Sequence, residues 1–307
     1  MRSITQRSFG GPEVFELVDV ARPAPGAGEV LVRVRASALN PVDSAVRRGT
    51  VPLLGQPPFV VGWDVSGVVE QAGDGADLAA GDEVFGMPLF PASAAGYAEY
   101  VVAPASQLAR KPAQLDHVQA AALPLAALTA WQGLVTAAGL TKGQRVLIHR
   151  AAGGVGHLAV QIAKARGAEV IALASEPKHE FVRSLGADRV IDYRTTDFTA
   201  AVADLDVVLD SAVEGDRSLS VLRPGGTLVT ILQHRDKELA VRVEAAGRRF
   251  AGIEVRPDRA GLEAVSALVA DGRLRVEIAE TFPLEEVAKA HAVLDAGQTV
   301  GKIVLTV

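Results

Sequence analysis

The sequence predicts an α/β protein built from two parts, a mostly antiparallel β-domain and a doubly wound parallel sheet. Two changes of pattern along the chain predict this fold class. Up to about residue 110 the chain holds short alternating apolar runs broken by Gly and Pro, whereas from about Gln119 strand patterns alternate with helix patterns. A third observation, a glycine turn between an apolar strand and an Ala-rich helix, indicates a βαβ unit in the second part.

Period-two alternation predicts the strands of the first part. Val30, Val32 and Val34 alternate with Leu31, Arg33 and Arg35, as in a half-buried strand. Further strands are predicted at 65–70, 82–85 and 97–103, with turns at 73–75 and 81–82. Because no long helical periodicity occurs here, we expect a compact β-domain.

The second part alternates between apolar runs and helical periodicity. Strands are predicted near 145–149, 169–174, 188–191, 206–210 and 227–232, with helices near 155–166, 177–185 and 216–222. Strands separated by helices imply a parallel sheet. The remaining chain predicts helices near 260–271 and 284–294 and a last strand at 302–306.

The glycine turn predicts a binding site for a dinucleotide pyrophosphate. Residues 146–156 read Val-Leu-Ile-His-Arg-Ala-Ala-Gly-Gly-Val-Gly, with Ala151 where the full fingerprint has its first glycine. Gly153 lets the backbone approach the diphosphate, Gly156 lets the helix pack on the strand, and the free N–H groups face the anion. The predicted contacts are Ala152, Gly153, Gly154, Val155 and Gly156. The alternative is an ordinary tight turn of another α/β protein.

Composition excludes several classes of function. A net charge of −5 without a basic run argues against nucleic acid and anionic membranes as partners. The chain has no cysteine, which excludes disulfides, thiolate chemistry and cysteine-ligated metal. The N-terminal residues lack an apolar signal region. Polar residues and Pro124 interrupt the apolar stretch 120–140, which fits a buried connecting helix better than a membrane span. We therefore expect a cytoplasmic enzyme.

Several motifs together resemble the medium-chain dehydrogenase/reductase superfamily, and in particular its zinc-free quinone oxidoreductase branch, also called zeta-crystallin-like. These motifs cover nearly the whole chain: Ala38-Leu-Asn-Pro-Val-Asp43, Val61-Gly-Trp-Asp-Val-Ser-Gly67, Leu123-Pro-Leu-Ala-Ala-Leu-Thr-Ala-Trp131, Ala151-Ala-Gly-Gly-Val-Gly156, Leu185-Gly-Ala-Asp-Arg-Val-Ile-Asp-Tyr193, Leu222-Arg-Pro-Gly-Gly226 and Gly301-Lys302.

The resemblance implies a domain organisation and an assembly. A GroES-like catalytic β-domain would comprise 1–118, completed by 254–307, and a Rossmann domain binding NADP(H) would comprise 119–253. The active site of such proteins lies in the cleft between the two domains, and the family resemblance suggests a homodimer.

By family position, no zinc site is expected. Asn40 stands where zinc-dependent members have a cysteine ligand and Trp63 where they have a histidine, and a further cysteine ligand is impossible in this chain. Without a Lewis acid the substrate must already be a good hydride acceptor, such as a quinone, an α,β-unsaturated ketone or an enoyl thioester. The absence of a G-x-S-x-G motif leaves hydrolysis unsupported.

Asn40 is the predicted catalytic residue, since its amide could donate a hydrogen bond to the substrate oxygen; alternatively it is only a turn residue before Pro41. Thr129 resembles the family's contact to the nicotinamide carboxamide or ribose, or it is a helix threonine bonded to its own backbone. Val51 occupies the position at which related reductases carry a tyrosine proton donor. Arg47 and Arg48 are interpreted as a solvated loop pair, with the orientation of an anionic substrate as the alternative.

The residues after the second strand favour NADP(H) over NAD(H). Ser175 replaces the acid that would bind a ribose 2′-hydroxyl, and Lys178 follows within reach of a 2′-phosphate. Tyr193, with Arg194 beside it, resembles the family's other phosphate-side contacts. Glu176 is the counter-argument, because a shift of one residue would restore an acid. Arg150, where the family has a small residue, has no role here beyond a phosphate contact.

Together these features predict an NADPH-dependent, zinc-independent reductase that transfers hydride to quinones or other α,β-unsaturated carbonyls. Two alternatives stay open at this point. One is an enoyl thioester reductase of fatty-acid or polyketide type, and the other is an NADPH-binding protein with little turnover.

Overall fold

Fifteen strands and ten α-helices form in the computed structural model, which describes residues 1–307. The strands are β1 Arg2–Gln6, β2 Phe15–Asp19, β3 Glu29–Ala38, β4 Asp64–Ala72, β5 Glu83–Gly86, β6 Tyr100–Pro104, β7 Leu108–Arg110, β8 Arg145–Ile148, β9 Glu169–Leu173, β10 Arg189–Ile191, β11 Leu205–Asp210, β12 Leu222–Thr230, β13 Arg249–Gly252, β14 Ile278–Pro283 and β15 Lys302–Thr306.

The helices are α1 Pro41–Arg47, α2 His117–Ala121, α3 Pro124–Trp131, α4 Gly156–Ala165, α5 His179–Ser184, α6 Phe198–Ala201, α7 Gly215–Ser220, α8 Lys237–Ala245, α9 Arg259–Ala270 and α10 Val287–Ala296. None of them is long and apolar enough to cross a membrane.

Two compact units divide the chain. The first unit comprises Met1–Leu128, Arg256–Asp271 and Val276–Val307, and the second comprises Thr129–Val255 and Gly272–Arg275. The assignment of separate functions to 1–118 with 254–307 and to 119–253 stays a prediction.

The first unit is organised around β3. Val30, Val32 and Val34 are buried in its core while Arg33 and Arg35 face solvent, because successive side chains of a strand point to opposite faces. Six strands of its seven-stranded sheet follow the order β14-β15-β3-β4-β5-β7, and the seventh, β6, pairs with β3 off this path. β3 is antiparallel to β4, β6 and β15, so strands from both ends of the chain meet in one sheet.

The second unit contains a six-stranded sheet in the order β10-β9-β8-β11-β12-β13, and every pair in it is parallel. Its strands are apolar runs because helices cover such sheets on both faces. The strand order reverses between β8 and β11, and open α/β sheets bind ligands at the carboxyl ends of the strands beside such a reversal. The predicted fold class is confirmed.

Several elements differ from the sequence prediction, which did not include β1, β2, β7, β13, α6 or α8. The stretch 120–140, expected to be one connecting helix, breaks between α2 and α3 and ends in a π-helical turn at Gln132–Ala137. β14 was missed because only Phe282 of its residues is buried, so the strand shows no apolar alternation. The short helix α1 was also missed, and it ends at Arg47, which the sequence had placed in a loop.

Candidate dinucleotide-binding turn and catalytic network

The glycine turn lies at the carboxyl edge of the parallel sheet in the second unit. β8 ends at Ile148, and Ala151 then donates its N–H to the carbonyl of Leu173, the last residue of β9, at 3.0 Å. The N–H of Gly153 donates to the Arg150 carbonyl oxygen at 2.8 Å, which closes the turn before α4 begins. A Cβ at position 156 would lie 2.3 Å from that carbonyl oxygen, so only glycine fits there.

The turn offers hydrogen-bond donors that the protein does not use. The N–H groups of Gly154 and Val155 precede α4 and donate to no group of the protein. Free N–H groups at the start of a helix, beside a backbone that glycines keep open, suit a phosphate or diphosphate. These residues therefore fit the pyrophosphate of a dinucleotide.

The predicted 2′-phosphate contacts lie at the same edge. Ser175 is 5% exposed and begins a 3-10 turn at Glu176–Lys178, and its hydroxyl does not cap that turn. The N–H of Ala174 donates to the carbonyl of Ile191 at 3.1 Å, which brings the segments after β9 and β10 together. Tyr193 follows that contact and is half exposed.

The remaining predicted residues lie elsewhere. Thr129 belongs to the second unit, where it is buried on α3. Asn40 belongs to the first unit, where it forms the N-cap of α1. Glu176 is exposed in the first position of its 3-10 turn, so Ser175, not Glu176, is the buried residue after β9.

Asn40 is held by two buried charged side chains. Its Nδ2 donates to Asp64 Oδ2 at 2.8 Å, and Lys302 Nζ donates to its Oδ1. Lys302 also donates to the carbonyl of Leu39 at 2.8 Å and lies 3.4 Å from Asp64 Oδ2. Because the Lys302 contact fixes which atom is oxygen, the amide orientation is determined, and one hydrogen of Nδ2 has no partner in this network.

Asp64 joins this network to the start of α3. Its second oxygen accepts from the N–H of Leu125 at 2.7 Å, so both carboxylate oxygens are satisfied. Burial raises the pKa of Asp64 and lowers that of Lys302, while the attraction between the two charges opposes both shifts. At this separation each charge stabilises the charged form of the other group, and the hydrogen bonds to both groups add to that effect.

Asp43 and Tyr97 form a second layer behind Asn40. The backbone N–H of Asn40 donates to Asp43 Oδ2 at 2.6 Å, while Asp43 Oδ1 is buried without a hydrogen bond. Burial is the main cause that raises the pKa of Asp43, to about 7. The pKa of Tyr97 is raised by burial and by the neighbouring charge of Asp43.

The interpretation of Arg47 as a solvated loop residue is wrong. Its side chain is 1% exposed, and it donates to His291 Nδ1 at 3.0 Å and to Asp295 Oδ2 at 2.6 Å on α10. Since Arg47 can only donate, His291 Nδ1 carries no proton and Nε2–H donates to the Tyr97 hydroxyl oxygen, 3.1 Å away. Burial and the charge of Arg47 lower the pKa of His291 to about 3.

Sequence reasoning missed most of this network. Asp64 and Lys302 stand in motifs that carried the resemblance, yet neither had a predicted role, and Lys302 meets Asn40 across 262 residues of chain. The buried Asp-Lys pair that the fold assembles here has no local sequence signal. No three His, Cys, Asp or Glu residues in the structure are grouped so that they could hold a metal ion.

Comparisons with known proteins agree with this architecture. Residues 26–113 match the alcohol dehydrogenase GroES-like domain, and residues 185–305 match the domain described as zinc-binding dehydrogenase. The chain is 35% identical over 317 residues to the NADPH-dependent alkenal/one oxidoreductase of Arabidopsis thaliana, covering 99% of this chain and 79% of that protein.

Solved structures show the same fold. The quinone oxidoreductase of Coxiella burnetii superposes with a TM-score of 0.91 at 36% identity, covering 100% of this chain and 99% of the other. The CurK enoyl reductase superposes with a TM-score of 0.90 at 29% identity, covering 99% and 98%. The fold and the glycine turn define a nicotinamide-dependent oxidoreductase. The chain belongs to the medium-chain dehydrogenase/reductase superfamily, in its quinone oxidoreductase branch.

Proposed function

We propose that this protein is an NADPH-dependent, zinc-independent reductase of quinones and other α,β-unsaturated carbonyls. The Asn40 network carries the proposal. At the position where metal-dependent members have a zinc ligand, this chain places an amide fixed by Asp64 and Lys302. A fixed amide donor beside a cation suits a substrate oxygen on which negative charge develops.

The chemistry separates into what the cofactor supplies and what the chain does. Bound NADPH supplies the hydride. The second N–H of Asn40 donates to the substrate oxygen, and the Lys302 ammonium, bonded to the amide oxygen, polarises the amide so that this N–H becomes a stronger donor. Asp64 prevents the amide from rotating, so the donor is in place before the reaction begins.

Conjugated carbonyls match this chemistry because they delocalise the incoming electron pair onto oxygen without a metal. The test is a panel of acceptors, measured by loss of NADPH absorbance with enzyme analysed for bound metal. We expect turnover of small 1,4-quinones or activated enones by protein that holds substoichiometric zinc and is insensitive to chelators. A tightly held equivalent of zinc whose removal abolishes turnover would contradict the proposal.

NADPH is the proposed cofactor in preference to NADH. Its support is the absence of an acid at position 175, the cation at 178 and the name of the Arabidopsis relative, which is NADPH-dependent. We expect Lys178→Ala to weaken NADPH binding roughly tenfold or more and to leave NADH binding nearly unchanged, since a charge-assisted bond is worth about 1.5–3 kcal/mol. Calorimetric titration with both cofactors measures this. Equal affinities in the wild type would reject the preference.

The enoyl thioester reductase is the second candidate, favoured by the superposition on CurK. For this reaction the proposed proton donors are Asp43 and Tyr97, which are buried behind Asn40, because Val51 stands where relatives carry the tyrosine donor. A low-turnover NADPH-binding protein is rejected by steady NADPH oxidation with any acceptor. A homodimer and a cytoplasmic location stay predictions.

A further inference from the structure

Arg150 adopts a backbone conformation that its side chain makes unfavourable. Its φ is +49°, in the left-handed region that glycine enters freely and other L-residues enter under strain. The residue is exposed, and its guanidinium makes no hydrogen bond or ion pair with any residue of the chain. No interaction of the Arg150 side chain within the protein therefore offsets the backbone strain at this position.

The position of Arg150 in the sheet is unusual as well. The N–H of His149 donates to the carbonyl of Leu209 in β11 at 3.1 Å, and the N–H of Ala151 donates to that of Leu173 in β9 at 3.0 Å. Arg150 therefore lies between the carboxyl ends of β9 and β11, at the point where the strand order reverses. This is the edge at which open α/β sheets bind their ligands.

The chemistry around Arg150 selects an anion. Its own carbonyl closes the glycine turn, and the unused N–H groups of Gly154 and Val155 follow within the same turn. An unpaired guanidinium carried by the same turn as free N–H donors suits the bidentate binding of a phosphate. Because Arg150 has no internal partner, binding a phosphate breaks no existing ion pair.

We infer that Arg150 is a second phosphate-binding cation of the dinucleotide site, in addition to Lys178. The inference rests on the proposed function and extends it to a residue that determines cofactor affinity. The shared ligand chemistry is a phosphate group of NADPH, either the ribose 2′-phosphate or the pyrophosphate. The alternative interpretation, which the experiment must reject, is that Arg150 is a solvated surface residue without a ligand.

The decisive variant is Arg150→Gly, because glycine adopts φ +49° without strain and the folded protein should be at least as stable as the wild type. Calorimetric titration of the cofactor-free protein gives Kd for NADPH, NADH, adenosine 2′,5′-bisphosphate and ADP. We expect the variant to bind NADPH roughly tenfold more weakly, with a smaller dependence of Kd on salt. Thermal unfolding of both proteins verifies that the variant is folded.

The four ligands locate the contact. Weaker binding of NADPH and the bisphosphate alone assigns Arg150 to the 2′-phosphate, whereas weaker binding of all four assigns it to the pyrophosphate. The matched control is Arg223→Ala, which removes a positive charge from the amino end of β12, at the opposite edge of the same sheet. Unchanged affinity for every ligand in Arg150→Gly, or an equal loss in the control, overturns the inference. Failure of the wild type to bind either dinucleotide rejects the proposed function instead.

Discussion

At the scale of single residues, Asn40 is the side chain on which the proposed chemistry depends. Its amide is 2% exposed and is held at both ends by charged groups. Asn40 therefore caps α1 and is also bonded to Asp64 and Lys302, so it has contacts beyond those of a turn residue. Its contact with substrate stays a proposal.

Removing the Asn40 amide should damage turnover more than folding. We expect Asn40→Ala to lower kcat by about 100-fold, the usual loss when one fixed donor to a developing oxyanion is removed. NADPH affinity, measured by calorimetry, should change little. The matched control is Ser37→Ala. Ser37 is buried, its hydroxyl donates to the backbone carbonyl of Asp64, and it takes no part in the proposed chemistry. Similar kcat losses in both variants would reduce Asn40 to a structural residue.

A second prediction concerns the contribution of Lys302 to the stability of the folded protein. In Lys302→Met the carboxylate of Asp64 loses its cation while it stays buried, and breaking such a pair costs about 3–5 kcal/mol. The pKa of Asp64, already raised by burial, must rise further without the cation. Because the folded variant then binds a proton that the unfolded chain releases, its free energy of unfolding falls as pH rises from about 4.

Urea unfolding at about pH 5 and about pH 8 checks this, with the larger deficit expected at the higher pH. The double variant Asp64→Asn with Lys302→Met removes the orphaned charge and should recover much of the stability. A deficit of equal size at both pH values, unaffected by the second change, would mean that the loss is one of packing.

At the scale of elements, α1 and α10 are joined by a polar contact that no local pattern indicates. Arg47 and Ser44 on α1 meet His291 and Asp295 on α10. An Arg-Arg pair before Gly reads as an exposed loop because its partners lie more than 240 residues further along the chain. Strands β3, β8 and β9 and helix α4 were predictable because their own apolar pattern fixes them, and the glycine turn because its backbone requirement is local.

The polar contact between α1 and α10 predicts that the stability of the protein decreases in acid. The pKa of His291 is about 3 in the folded protein and 6.5 ordinarily, so below 6.5 the unfolded chain takes up a proton that the folded protein refuses. This contribution to stability is complete above pH 6.5 and is lost progressively as pH falls toward 3. The pKa of Asp43 is raised to about 7, so the contribution of Asp43 to stability has the opposite pH dependence. Unfolding of the wild type alone therefore does not isolate the contribution of His291.

The comparison is therefore between the wild type and His291→Gln. We expect the free energy of unfolding of the wild type minus that of the variant to fall as the solution is acidified from pH 6.5. Chemical unfolding at several pH values measures this difference. A difference independent of pH would show that His291 is not kept neutral by its surroundings.

At the scale of the whole molecule, the proposed substrate preference follows from what the chain offers as an acid. Reduction of an enoyl thioester yields a basic enolate whose carbon needs a proton, whereas a quinone yields a hydroquinone anion that solvent protonates. With Val51 in place of the tyrosine donor, we expect higher kcat/KM for small 1,4-quinones or activated enones than for crotonyl thioesters, by part of the usual 10²- to 10⁴-fold contribution of general acid catalysis.

NADPH absorbance under one set of conditions gives the ranking of the acceptors. Faster reduction of the thioester would show that another proton donor acts, with Tyr97 and Asp43 the first residues to vary. That outcome would move the assignment to enoyl reduction while leaving the hydride donor unchanged.

The pairing of β15 with β3 constrains the order in which the protein folds during its synthesis. During translation, β3 emerges early, but its neighbour β15 is made only after the whole parallel sheet of the second unit. The second unit, except for the short segment Gly272–Arg275, is contiguous and can fold on the ribosome, while the first must wait with an open strand edge. The nascent chain thus depends on β15 both to pair with β3 and to bring Lys302 to Asn40, so a chain halted before β15 would have neither the complete sheet nor the Asn40–Lys302 contact.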